Sequence, residues 1–223
     1  GSGSRTNANG GNQIGGDGAR GEVRITYTIS AGILSGTQTI CIGGNTTFSS
    51  TITGGTWSTS NGAIATVNSS TGVVTGVSAG TATITYTMAG LGSCTNVSAT
   101  RTVTVNPTPT VTNTPLTQTI CSAGSTTAVT LTSGVAGTTF AWTASATAGV
   151  SGFTASGSGP IPVQTISTTG TTQGTVTYVI TPTANGCPGP TTNYTVLVDP
   201  VPTVTNASLT QTICSAGSTT AVT

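Results

Sequence analysis

The sequence has no histidine and no lysine, and only 3% of its residues are charged. Its seven ionisable charges are Arg5, Asp17, Arg20, Glu22, Arg24, Arg101 and Asp199. From Ile25 to Val198 the one charge is Arg101. Nucleic-acid binding needs several cations on one face to neutralise phosphates, so that function is excluded. Polybasic attachment to anionic lipid is excluded for the same reason. No run of 18 apolar residues exists, which removes a transmembrane helix and direct membrane insertion. General acid–base chemistry wants a histidine or a tuned carboxylate pair, and Asp17, Glu22 and Asp199 are too scattered to form one. The many serines have no base to activate them. Clustered carboxylates for calcium are also absent. The composition therefore predicts a protein that is not an enzyme and carries no cofactor or metal. No signal peptide is visible, and the chain opens on GSGSRTNANGG, so it reads as an internal piece of something larger.

What is present is threonine, 56 of 223 residues, with 32 glycines. Valine, isoleucine, tyrosine and threonine alternate in short runs, the pattern of half-buried strands. TATITYTM (Thr81–Met88) puts Ala82, Ile84, Tyr86 and Met88 on one face. RTVTVN (Arg101–Asn106), TVTYVIT (Thr175–Thr181) and YTVLV (Tyr194–Val198) read the same way. Turns are expected at Asn61-Gly62, Thr71-Gly72 and Ala184-Asn185-Gly186. No capped helical periodicity occurs. The expected fold is all-β: tandem immunoglobulin-like antiparallel sandwiches behind a glycine-rich tail.

The sequence also repeats itself. Pro109–Thr130 returns at Pro202–Thr223, a period of 93 residues, and only Thr114/Ala207 and Pro115/Ser208 differ. A shorter echo, GTQTICIGG, stands at Gly36–Gly44. Four segments follow. Residues 1–29 end a glycine-rich region with one strand, EVRITYTI at Glu22–Ile29. A first module covers 30–106 and a second 107–199. The start of a third covers 200–223, cut short. Each junction carries two prolines one residue apart, Pro107 and Pro109, then Pro200 and Pro202. Proline fixes φ and removes a donor, so these joints should be short and stiff.

Each complete module has two cysteines and one tryptophan: Cys41, Trp57, Cys94 in the first, and Cys121, Trp142, Cys187 in the second. This order resembles the immunoglobulin arrangement, where an indole packs near an inter-sheet bridge. The resemblance implies a bridge inside each module, Cys41 with Cys94 and Cys121 with Cys187, with core tryptophans Trp57 and Trp142. Cys214 would be unpaired in this fragment because its module is incomplete. A metal or redox role finds no CxxC, histidine or adjacent base. Bridges imply an oxidising, extracytoplasmic compartment. Closing loops of 53 and 66 residues would stabilise each module by roughly 4 kcal/mol in the chain-entropy model. Cys94 and Cys187 follow their strands and do not lie within them, which points to bridges near one pole.

TWSTSNGAIATVNSSTGVVTGVSAGTATITYT (Thr56–Thr87) resembles the bacterial immunoglobulin-like group 2 domain through Trp57, Ser60, Asn61, Ala65–Val67, Gly72, Gly76, Gly80, Ala82 and Ile84. TFAWTAS (Thr139–Ser145) and TYVITPTANGCPGP (Thr177–Pro190) resemble the PKD-like repeats of Bacteroidota surface proteins. Together with the glycine-rich start, they resemble the very large repetitive adhesins of gliding Bacteroidota, exported by the type IX system. The resemblance implies an extracellular, cell-surface, structural segment that projects a distal adhesive region and bears load. Its partners would be surface glycans or other ligands met by regions outside this sequence, and the outer-membrane secretion and motility machinery. Two alternatives stand beside it. One is a self-associating filament subunit, whose uncharged strand edges pair between chains. The other is a spacer or carbohydrate-binding module of a secreted polysaccharide-degrading enzyme.

Overall fold

A computed structural model describes residues 28–90 and 94–203. The strand expected at Glu22–Ile29, the glycine-rich start, Cys214 and most of the third repeat lie outside the described residues. Thr28 and Ile29 are described and are not in a strand.

The first module contains β1 (Leu34–Ser35), β2 (Thr39–Cys41), β3 (Asn45–Thr47), β4 (Ser49–Ser50), β5 (Thr56–Thr59), β6 (Ala65–Val67), β7 (Val73–Gly76), β8 (Gly80–Met88) and β9 (Val97–Asn106). The second contains β10 (Thr117–Cys121), β11 (Gly124–Ser125), β12 (Thr139–Ala146), β13 (Val150–Ser151), β14 (Ser156–Ser158), β15 (Thr165–Thr168), β16 (Gly174–Ala184), β17 (Cys187–Pro188) and β18 (Thr192–Asp199). No described residue is helical. No described helix is long and apolar enough to cross a membrane.

The two modules share one plan. In the first, a sheet ordered β2-β9-β8-β5 faces a sheet ordered β3-β7-β6. In the second, β10-β18-β16-β12-β14 faces β11-β15-β13. The long strands follow the period-2 pattern read from the sequence. Along β16 every second residue is buried, placing Val176, Tyr178, Ile180 and Ala184 inward, with Thr175, Thr177, Val179, Thr181 and Thr183 on the other face. Burying such side chains stabilises by about 1.5–3 kcal/mol each, while threonine on the other face favours extended backbone and keeps a hydroxyl in water.

The sandwich is present, but it is not wholly antiparallel. The strand that ends on the first cysteine of each module runs parallel to the last: β2 beside β9, with Ile40 opposite Val105, and β10 beside β18, with Ile120 opposite Val198. A parallel pair needs a long crossover, and here the crossover is the module itself.

Both tryptophans are core residues, 6% and 4% exposed. Trp57 on β5 packs at a tilt against Tyr86, with ring centroids 4.6 Å apart, and meets Phe48 edge-on at 6.4 Å. Trp142 on β12 meets Tyr178 at 5.6 Å. It lies over Gly157 of β14, where any Cβ would collide with the indole. The Trp142 indole N–H is buried without a partner.

Candidate functional site

The disulfide found is not the one expected. Cys41 of the first module is bonded to Cys187 of the second, with Cα atoms 5.6 Å apart and a sequence separation of 146. Cys94 and Cys121 are exposed free thiols. The intra-module pairs, Cys41 with Cys94 and Cys121 with Cys187, are therefore corrected.

Strand direction gives the reason. Cys41 lies opposite Asn106, where the first module ends, and this end is its C-terminal pole. Cys94 lies in the β8–β9 connection, beyond the Met88–Val97 pair at the other pole. The ten residues of β9 separate those poles by about 30 Å at 3.3 Å per residue. The same holds in the second module. Cys121 lies opposite Asp199 at the C-terminal pole, while Cys187 pairs with Ala184 at the N-terminal pole. Eleven residues of β16 place them about 33 Å apart. A disulfide needs Cα atoms within about 7 Å, so neither module can bridge itself. The Cys…Trp…Cys order gives no warning of this, because it says nothing about which pole a cysteine occupies.

Cys187 is presented by a tight hairpin. Asn185 (φ 50°) and Gly186 (φ 77°) are both left-handed, as a two-residue turn between twisted strands requires. The turn expected at Ala184-Asn185-Gly186 is thus the tip that enters the joint. There the Asn106 side-chain amide donates to the Asn185 carbonyl at 3.1 Å. Cys187 is 1% exposed, so the bond is shielded. On the first module, Cys41 sits at the end of TQTIC (Thr37–Cys41), followed by a turn in which Ile42 N–H donates to Asn106 O at 3.1 Å.

The joint prolines divide. Pro109 is fully buried, and its carbonyl lies so close to Gly189 that no side chain would fit there. Pro107 is half-buried. Thr112 and Asn113 then bond back to Thr132 and Thr130, fixing the segment to the second module. Of the second pair, Pro200 is half-buried and Pro202 exposed.

Two polar residues, which alternation of apolar and polar residues does not mark, anchor the module interiors. Arg101 reaches from β9 across the β1–β2 connection. Its guanidinium donates to Leu34 O at 3.0 Å and to Gly36 O at 2.9 and 3.2 Å, and stands 5.8 Å over the Phe48 ring. Gln164 is buried in the second module, where its Oε1 accepts from Thr154 N–H at 2.6 Å and from the Tyr178 hydroxyl at 3.1 Å. Arg101 is the one charge between Ile25 and Val198, a signal that could have marked it. A lone glutamine in PVQTI gives none.

Three open surface clefts, of about 520, 280 and 230 Å³, are lined by threonine, serine, glycine and proline with scattered apolar side chains. Among the described residues no three His, Cys, Asp or Glu side chains gather. No described aromatic residue is exposed.

The sequence matches the bacterial Ig-like domain (group 2) over residues 21–93 and the PKD-like domain over residues 118–202. No curated protein matches it. Among solved structures it is similar to the fibronectin(III)-like modules of Clostridium thermocellum CbhA, with 12% identity, TM-score 0.29, and 75% of this chain and 95% of that one covered. It is similar to the tandem Ig repeats of Dlar, with 14% identity, TM-score 0.27, and 75% and 98% covered. It is also similar to the protocadherin gammaB7 EC3-6 structure, with 13% identity, TM-score 0.28 and 74% of this chain covered. The chain spans about half the length of that protocadherin. The chain thus matches two domain families in tandem, the bacterial Ig-like domain of group 2 followed by the PKD-like domain.

Proposed function

We propose that this chain is a non-enzymatic, load-bearing spacer of an extracellular bacterial surface protein of the repeat-adhesin kind. It holds a binding region, outside this sequence, away from the cell. The observation that carries the reading is the covalent bond across the joint. Tension entering before Cys41 passes through the disulfide to Cys187 and leaves along β18. The chain between the two cysteines hangs in a closed loop and is spared. The parallel first and last strands add a second feature. Were the bond reduced, pulling β10 and β18 toward opposite poles would shear their five paired positions together and would not unzip them one by one. The uncharged threonine surface supports the same role, since it responds little to salt.

The binding partners would be surface glycans or other substratum ligands, engaged elsewhere in the protein. Export and movement by outer-membrane machinery, as in gliding adhesins, extends the reading.

Pulling the intact chain by its ends in an optical trap tests it. The loop between the cysteines spans 146 residues, about 500 Å of extended chain. Fully unfolded, the oxidised chain should be shorter than the reduced chain by about that length. Equal lengths would show that the staple carries no load and would overturn the reading.

A further inference from the structure

The cysteine at the far end of the second module stands where Cys41 stands in the first. Both end a TQTIC sequence, at Thr37–Cys41 and Thr117–Cys121, and both close the strand formed there, Thr39–Cys41 and Thr117–Cys121. Both pair with the last residue of the parallel last strand, Asn106 and Asp199. The next residue donates the same backbone bond in each, Ile42 N–H to Asn106 O and Ser122 N–H to Asp199 O. The residue after that is left-handed in both, Gly43 at φ 77° and Ala123 at φ 64°. One difference remains. Cys41 is bonded to a hairpin of the following module, whereas Cys121 is an exposed thiol.

The sequence supplies the missing partner's chemistry. A third copy of the unit begins in the chain, repeating Pro109–Thr130 at Pro202–Thr223 with TQTIC again at Thr210–Cys214. The unit that repeats is the one that carries the Asn185-Gly186-Cys187 hairpin at its N-terminal pole. A following copy of the whole unit would offer Cys121 the group that the second module offers Cys41. Among the described residues nothing fills the hollow of about 520 Å³ beside Cys121, between Ser122, Thr168 and Pro200.

We propose that Cys121 receives the hairpin cysteine of the next PKD-like module. The array is then linked head to tail by one disulfide at each joint, with none inside a module. The bond forms by thiol–disulfide exchange. Two protein thiols become one disulfide, and the disulfide of an oxidant such as an oxidoreductase or oxidised glutathione becomes two thiols, taking up both electrons and both protons. Because Cys121 lies between Cys41 and Cys187 in sequence, successive bonds interleave. A break in the backbone between the first and last bonded cysteines would leave the array joined. The inference concerns connectivity, and it stands in any oxidising compartment whether or not the protein is an adhesin.

The test lengthens the full chain after Thr223 by the sequence of Leu131–Asp199, completing the third repeat. The protein is oxidised in a glutathione buffer, blocked with N-ethylmaleimide, and digested with pepsin at acid pH so that bonds do not exchange. Mass spectrometry should find the Cys121 peptide joined to the hairpin peptide of the added copy, with Cys41–Cys187 unchanged and Cys94 and Cys214 alkylated. A Cys121→Ser variant should leave the new hairpin cysteine fully alkylated and every other linkage as before. Cys121 carrying maleimide or glutathione while Cys41–Cys187 is intact would overturn the proposal. So would a bond from Cys121 to Cys187 or Cys214.

Discussion

The first and second modules place the same residues in the same positions and use them differently. Each edges its main sheet with a strand from TQTIC that runs parallel to the last strand, Thr39–Cys41 or Thr117–Cys121, and each packs a tryptophan against a tyrosine of the long central strand. Yet Cys41 is bonded and Cys121 is not. The fold fixes where the thiol stands, and the neighbouring module decides what becomes of it. The interiors also diverge. The first module ties its β1–β2 connection with an arginine fork, the second ties its interior with a buried glutamine. A shared strand plan therefore leaves the polar anchor free to come from different elements.

The largest effect expected is all or none. In the oxidised chain, brief maleimide treatment should label Cys121 completely and leave Cys41 and Cys187 unlabelled until a reductant is added. Changing Cys187→Ser should make Cys41 label as Cys121 does, which removes the one difference between the two positions. If Cys41 stayed protected in that variant, something other than the disulfide would separate the two modules' cysteines. Peptide mapping after labelling reads each site individually.

Much of this architecture is legible in the sequence, because period-2 burial is a local signal. TATITYTM and TVTYVIT both announce buried strands, and β8 and β16 lie there with somewhat wider bounds. The turn at Asn185-Gly186 is legible for the same reason, since the backbone it needs is one that asparagine and glycine tolerate. The cysteine pairing is not legible. It depends on which pole each strand end reaches and on what sits beyond that pole, and both are properties of the assembled modules. The parallel pairing of first and last strands is equally non-local, because nothing in TQTIC or RTVTVN specifies its partner. Gln164 shows the limit most clearly, as its importance comes from Tyr178 and Thr154 converging on one oxygen.

The two polar anchors make the comparison between interiors testable. Gln164→Ala would leave the Tyr178 hydroxyl and the Thr154 amide without an acceptor inside the second module. Each buried unmet donor costs about 1–3 kcal/mol, so a loss of about 3 kcal/mol is expected. Arg101→Ala removes charge-assisted bonds to two carbonyls of the first module, where water can partly replace them, and about 2 kcal/mol is expected. Arg101→Lys should recover little, because an ammonium is a single point of donation and cannot present the guanidinium fork. Hydrogen exchange resolved by peptide reads the two modules separately. Each substitution should speed exchange in its own module and leave the other unchanged. Equal acceleration in both modules would mean that the joint couples them into one unfolding unit.

The smallest effect expected is a response to alkaline pH confined to the second interior. Burial pushes the Tyr178 hydroxyl above its ordinary pKa of 10.0, and the nearby Tyr194 adds to the rise. Burial also pushes Tyr194 upward. A tyrosine that resists ionisation when folded keeps its proton where the unfolded chain has lost it. Above about pH 10 the unfolded state therefore binds fewer protons, and stability must fall as pH rises. Below the ordinary tyrosine pKa both states hold the proton, and this contribution is fully retained. Replacing Tyr178 and Tyr194 together by phenylalanine should lower the starting stability, since the Gln164 oxygen loses a donor. It should also flatten the decline between pH 9.5 and 11, a range set by the ordinary tyrosine pKa of about 10. Denaturant titrations across that range measure the slope. An unchanged slope in the double variant would place the alkaline sensitivity outside this tyrosine pair, and the second interior would then owe its pH response to some other group.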